Sequence, residues 1–213
     1  MGKWSKFLAF LSDFVEKFLQ ERVKNVKENI DRNAFFAYNR RMEKTKEKLV
    51  WAVRIFLTVA CAFAVGFILY NSIQPAVESS KQSSRVVEMV QTVVAVFAPD
   101  SPIVTATGRD YERLHGVVRT LAHFSEYALL GALGAWCYRS YTNKKIWLCV
   151  VDGGVTLMAV LDEWLQTFSA GRGAQFTDVV VDVLGGGVGI VFALFTVWCV
   201  GKVIRKRREH ETR

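Results

Sequence analysis

The chain has 213 residues, 51% of them hydrophobic, yet its 28 Lys plus Arg against 20 Asp plus Glu leave a formal charge of +8. Segregation reconciles the two: charge concentrates before Leu49 and after Gly201, and the middle carries long apolar runs, as in an integral membrane protein with wet basic ends. That pattern argues against a nucleic-acid module despite the basic balance. The four cysteines lie in or beside apolar runs without CxxC or Cys/His spacing, which argues against a disulfide framework or a zinc site.

Over residues 4–30, Trp4, Phe7, Leu11, Phe14, Phe18, Val26 and Ile30 recur at helical spacing, with Lys6, Asp13, Lys17, Lys24 and Lys27 between them. This predicts an amphipathic helix of basic bias, suited to an anionic cytoplasmic leaflet or to packing on its own protein. The first fifty residues lack a compact apolar h-region, so no cleaved signal peptide is expected there. Four stretches then approach the ~20 apolar residues that cross a bilayer: 49–70, 121–138, 146–168 and 179–200. The second is weakest, because His123 and Glu126 sit near its start, but its Ala, Gly and Leu content suits a helix packed among others.

Between the first two stretches, 71–119 holds a Ser-rich run, a short helical pattern (Val86, Val90, Val93, Val94, Phe97) and a breaker cluster at Pro99, Asp100, Ser101 and Pro102. Lys and Arg crowd the segment before the first stretch, the turn at Arg139, Lys144 and Lys145, and the tail from Lys202, whereas the last loop carries only Arg172. Both termini are therefore expected to be cytoplasmic. The expected fold is all-α, a polytopic helical membrane protein of the cell membrane. It has four transmembrane helices with N- and C-termini cytoplasmic, plus an N-terminal amphipathic helix. Residues 1–48 form a basic extension, 49–201 the membrane domain with 71–119 outside, and 202–213 a basic tail.

Helix rise places the polar residues. At ~1.5 Å per residue, Glu163, His123 and Asp182 lie about 24 to 30 Å from the basic positions Lys145, Arg139 and Lys202, so three stretches deliver polar groups to one outer interface. Faces agree as well. Asp152, Thr156, Ala159, Glu163 and Gln166 form one stripe with Asp162 beside it; His123, Tyr127, Leu130, Gly131 and Gly134 form another, with Glu126 next to His123; Asp178, Asp182, Gly185 and Gly189 form a third.

Such a pocket suits three kinds of work. His123 with Glu163 or Asp178 suits general acid–base chemistry; His123 and Glu126 with Asp162, Glu163, Asp178 or Asp182 suit a hard divalent cation; Arg172 suits a phosphate or carboxylate. Structural roles compete with each: buried acids pair with Arg to hold a bundle in register, and His123 serves as an interface hydrogen-bonder. Asp152 reads as a proton relay or as a cap-like hydrogen-bonder beside Gly153 and Gly154. No metal or cofactor is assigned.

The runs HFSEYALLG at 123–131 and LDEWLQTFSAGRGAQFTDVVVDVLGGGVG at 161–189 resemble the VanZ-like family, over roughly 50–200. The resemblance implies a small helical membrane protein of the cell envelope, and its founding member is linked to resistance to the glycopeptide teicoplanin; no established reaction comes with it. It picks out His123, Tyr127, Asp162, Glu163, Gln166, Arg172 and Asp178, and Asp182 stands where an Asn would be expected.

The functional expectation is recognition of an anionic lipid or lipid-linked cell-wall component at the outer leaflet, contributing to glycopeptide resistance. Arg172 would anchor the headgroup, with His123, Glu126, Tyr127, Asp162, Glu163, Gln166, Asp178 and Asp182 around it. Two alternatives stand: a membrane-embedded hydrolase or transferase acting on such a lipid, and a non-catalytic modulator of another membrane protein. The expected partners are the bilayer and such a lipid, without nucleic acid; a homo-oligomer stays open.

Overall fold

The computed structural model describes residues 12–14, 16–17, 32–142, 144 and 146–211. Among them the fold is five helices without a strand: α1 Arg32–Ser72, α2 Ala76–Phe97, α3 Arg109–Tyr141, α4 Trp147–Gln166 and α5 Phe176–Glu211. The amphipathic helix expected over 4–30 lies outside the described residues except at 12–14 and 16–17.

α1 has 41 residues and is therefore about 60 Å long. Its charged first half continues into the apolar run without a break, because Glu43, Lys44, Lys46, Glu47 and Lys48 are good helix formers; Lys46 also pairs with Glu43 at 3.0 Å and with Glu16 at 2.8 Å. α2 begins after Pro75, whose fixed φ suits the entry to a helix, and ends at Phe97, before Ala98, for which Pro99 disfavours the helical region. α3 starts behind Gly108 at φ 56°, with Asp110 and Glu112 in its first turn and Arg139 in its last, as the helix dipole favours.

α1 and α4 run one way, α3 and α5 the other. Arg54 Nε donates to the Ser140 carbonyl at 3.1 Å near one end of the α1–α3 pair, and Asn71 Nδ2 donates to Glu126 Oε1 at 3.0 Å near the other. α3 and α5 lie side by side in parallel: Gly185 faces the Phe124 backbone, Gly189 faces that of Ala128, and Trp136 Nε1 donates to Thr196 Oγ1 at 3.1 Å. α4 closes the bundle with Val155 against Gly186 and Val151 against Gly134. The start of α1 and the end of α5 thus share one end of the bundle, and the loops after α1 and α4 share the other.

The core is thin. Ala64, Ile68, Tyr127, Leu130, Val155 and Ala159 form one buried cluster, and Ala135, Val151, Ile190 and Ala193 a second. The outside is apolar instead, with Phe56, Phe63 and Phe195 each more than half exposed. A water-soluble chain does not present such a continuous greasy surface; this is a membrane protein. Among the described residues two helices, over Phe35–Ser72 and Phe176–Arg207, are long and apolar enough to cross a bilayer by length and composition. The other two expected spans fall in α3 and α4, where His123, Glu126, Asp152, Asp162 and Glu163 interrupt the apolar sequence.

α2 folds back along the first turns of α3: the His115 ring Nε2 lies 3.1 Å from the Ser80 carbonyl, and Gln91 Nε2 donates to the Ile103 carbonyl at 2.9 Å. The valine pattern expected to make a short outer helix therefore extends to 22 residues.

Candidate functional site

The polar residues converge at the loop end of the bundle. There the loops after α1 and α4 are tied together: Ala76 N donates to the Ala170 carbonyl at 3.0 Å, Ser169 Oγ to the Ser72 carbonyl at 2.8 Å, and Arg172 to the Asn71 carbonyl at 3.2 Å. Gly171 takes φ 78° in this turn, a conformation that side chains rarely adopt, and lets the strap close.

Asp162 sits at the centre and is 2% exposed. Its Oδ1 accepts from Ser72 Oγ on α1, and its Oδ2 accepts from the fully buried Tyr127 hydroxyl on α3 at 3.3 Å. His123 Nδ1 stands 4.0 Å from Asp162 Oδ2 and 3.8 Å from Asp182 Oδ1. Four helices thus supply this cluster: α1, α3, α4 and α5. Glu163, one residue beyond Asp162, turns toward the α4–α5 loop and accepts the Gln175 N–H at 2.7 Å. Gln166 is 1% exposed, and neither end of its amide has a hydrogen-bond partner among the described residues.

Beside the cluster lies a cavity of about 460 Å³ between the bundle and the α2–α3 hairpin. Ile68, Val86, Val90, Val118 and Leu121 line its apolar side, and Arg119, His123, Glu126, Asp162 and Arg172 its polar side. Arg172, in the loop outside the helices, has its pKa lowered first by burial and then by the nearby Arg119 charge. Neither guanidinium has a carboxylate within 4.0 Å among the described residues, and Arg172 Nε is buried without a partner.

Of the expected site residues, His123, Glu126, Asp162 and Arg172 line this cavity, while Tyr127 and Asp182 lie behind it against His123 and Asp162. Glu163, Gln166 and Asp178 are not in its lining, and Asp178 Oδ1 takes a long 3.5 Å hydrogen bond from its neighbour Thr177. Asp152 departs from its expected stripe. It is exposed on the outside of α4, because Val151 takes the inward position against Gly134. Arg119, Asn71 and Ser72 were not anticipated. Arg119 carries a legible signal, since it precedes His123 by one helical turn and shares its face.

The model of the VanZ/LLP1 family matches residues 56–198, which include every residue of the cluster and the cavity named above. No curated protein and no solved structure matches the chain.

Proposed function

The chain belongs to the VanZ/LLP1 family, and from that membership we propose that it is a multi-pass protein of the cell envelope that recognises an anionic lipid or lipid-linked cell-wall component at the outer leaflet and contributes to glycopeptide (teicoplanin) resistance. In this reading α1, α3, α4 and α5 cross the bilayer, the basic termini stay cytoplasmic, and the cavity opens outside. Residues 1–48 form a cytoplasmic extension, 49–201 the membrane domain and 202–213 a basic tail.

Aromatic anchors support the topology. Trp51, Tyr141 and Trp198 gather at the termini end, where Arg54 lies over Trp51 and Tyr141 and Lys202 over Trp198, while exposed Tyr70 and Trp164 mark the cavity end. Trp51 and Tyr70 are 19 residues apart on one helix, about 28 Å, close to the ~30 Å hydrocarbon thickness. Such belts mark the two membrane–water interfaces.

The observation that carries ligand recognition is the pair of guanidiniums, Arg119 and Arg172, facing one cavity with no carboxylate within ion-pair reach among the described residues. Two cations left this way, one of them half-buried, favour an incoming anion such as a phosphate, which a guanidinium grips with two parallel hydrogen bonds. The apolar wall opposite suits the first methylenes of a lipid chain. Expression in a glycopeptide-susceptible host should raise its teicoplanin resistance, and Arg172→Ala at equal expression should abolish the gain. Full resistance in that variant sinks the reading.

A further inference from the structure

We infer that His123, Asp162 and Asp182 form a binding site for a divalent transition-metal cation, Zn²⁺ or Mn²⁺, set in the wall of the cavity. This goes beyond anion recognition and does not depend on it.

Geometry carries the inference. One donor atom from each residue lies within 4.8 Å of the other two. Three atoms within 4.8 Å of one another always have a point within about 2.8 Å of them all, so side-chain shifts of at most about 0.8 Å reach the ~2.0–2.2 Å of metal–nitrogen and metal–oxygen bonds. The same separations, 3.8 and 4.0 Å from His123 Nδ1 to the two carboxylates, are too long for hydrogen bonds. The groups converge without bonding to one another.

Burial makes that arrangement costly as it stands. Asp182 is 0% exposed, both its carboxylate oxygens lack a hydrogen-bond partner among the described residues, and so does His123 Nδ1 opposite them. Buried polar atoms are nearly always satisfied, so an orphaned carboxylate and an orphaned imidazole nitrogen facing each other at 3.8 Å call for a ligand between them. Two buried carboxylates whose only ion-pair partner within 4.0 Å among the described residues is an imidazole also favour added positive charge. A divalent cation meets both needs, whereas protons shared among the three groups would neutralise charge and leave the long separations unbridged.

The surroundings resemble those of a built site. Ser72 and Tyr127 hold both oxygens of Asp162, the kind of outer support that orients metal ligands. His123 and Asp162 line the cavity, which supplies an entry path and leaves open coordination positions facing it. One imidazole with two carboxylates is a mixed nitrogen and oxygen set, suited to Zn²⁺ or Mn²⁺.

The test uses the full chain in nanodiscs, stripped with chelator and equilibrated with Zn²⁺ or Mn²⁺, with bound metal measured by mass spectrometry of the elements. One ion per chain is expected for the wild type, and binding weakened by about tenfold or more in Asp182→Asn and in His123→Ala. Asp152→Asn, on the outer face of α4, should bind as the wild type does. Because a variant can fail to fold, the wild type carries a second readout: the cation should raise its Tm and give a Mn²⁺ spin-resonance signal of a bound ion. Wild-type protein that retains neither metal, or equal retention by folded Asp182→Asn and His123→Ala, would overturn the inference. Lipid binding by the stripped protein reports on anion recognition separately.

Discussion

Replacing Gly189 by Ala should separate α3 from α5 and loosen the cluster they carry. A Cβ at Gly189 falls far inside contact distance of the Ala128 carbonyl and 2.8 Å from the Ala132 amide nitrogen, both backbone atoms that no rotamer change can move. The helices would have to part by roughly 1.5 Å to restore van der Waals separation. Overpacking of this kind costs about 3 kcal/mol where nothing flexible yields; the better helix propensity of Ala returns about 1 kcal/mol. The net of about 2 kcal/mol is roughly a 30-fold loss in the folded-to-unfolded ratio, and about 4 to 8 °C in Tm for a chain of this size. Gly187 is the internal control, because a Cβ there meets nothing within 4 Å. Thermal unfolding of both variants in one detergent should show Gly189→Ala well below the wild type and Gly187→Ala at or slightly above it. If Gly189→Ala unfolds at or above Gly187→Ala, the close α3–α5 approach is refuted.

Other consequences can be measured alongside. Ser72→Ala removes a hydrogen bond to the buried Asp162 carboxylate and should cost about 1.5 to 3 kcal/mol in chemical denaturation; an unchanged midpoint would deny that bond. Trp136→Phe loses the bond to Thr196 and should destabilise by about 1 kcal/mol in the same assay. In a cysteine-free background, Phe97→Cys should react with an impermeant maleimide on whole cells and Lys206→Cys only after lysis, whereas the reverse pattern would invert the proposed topology.

Helix geometry explains why so much of the site was legible. Spacing of three and four fixes which residues share a face, and rise sets their position along it, so helix geometry alone brings His123, Tyr127, Asp162 and Asp182 together. Asp152 departs because a stripe traced back from Glu163 by three or four arrives at 151 as readily as 152, and only the partner decides: Val151 packs on Gly134, leaving Asp152 outside. Arg119, Asn71 and Ser72 were hidden for another reason. Hydropathy ends a span where the apolar run ends, but α1 continues to Ser72 and α3 begins at Arg109, so both arrive already helical and aimed at the cavity. Nor does spacing reveal which acids face the cavity. Glu163 bonds the Gln175 amide of the α4–α5 loop instead, and Asp178 takes a long hydrogen bond from the hydroxyl of its α5 neighbour Thr177.

The claim that two carboxylate-free guanidiniums receive an anionic headgroup is tested most directly by native mass spectrometry of the purified chain with phosphatidylglycerol and phosphatidylcholine in parallel. The wild type should retain phosphatidylglycerol preferentially, and Arg119→Gln and Arg172→Gln should each weaken that retention by about tenfold or more, the worth of a charge-assisted hydrogen bond. Equal retention of the two lipids by the wild type, or undiminished phosphatidylglycerol binding in the double variant, would contradict it.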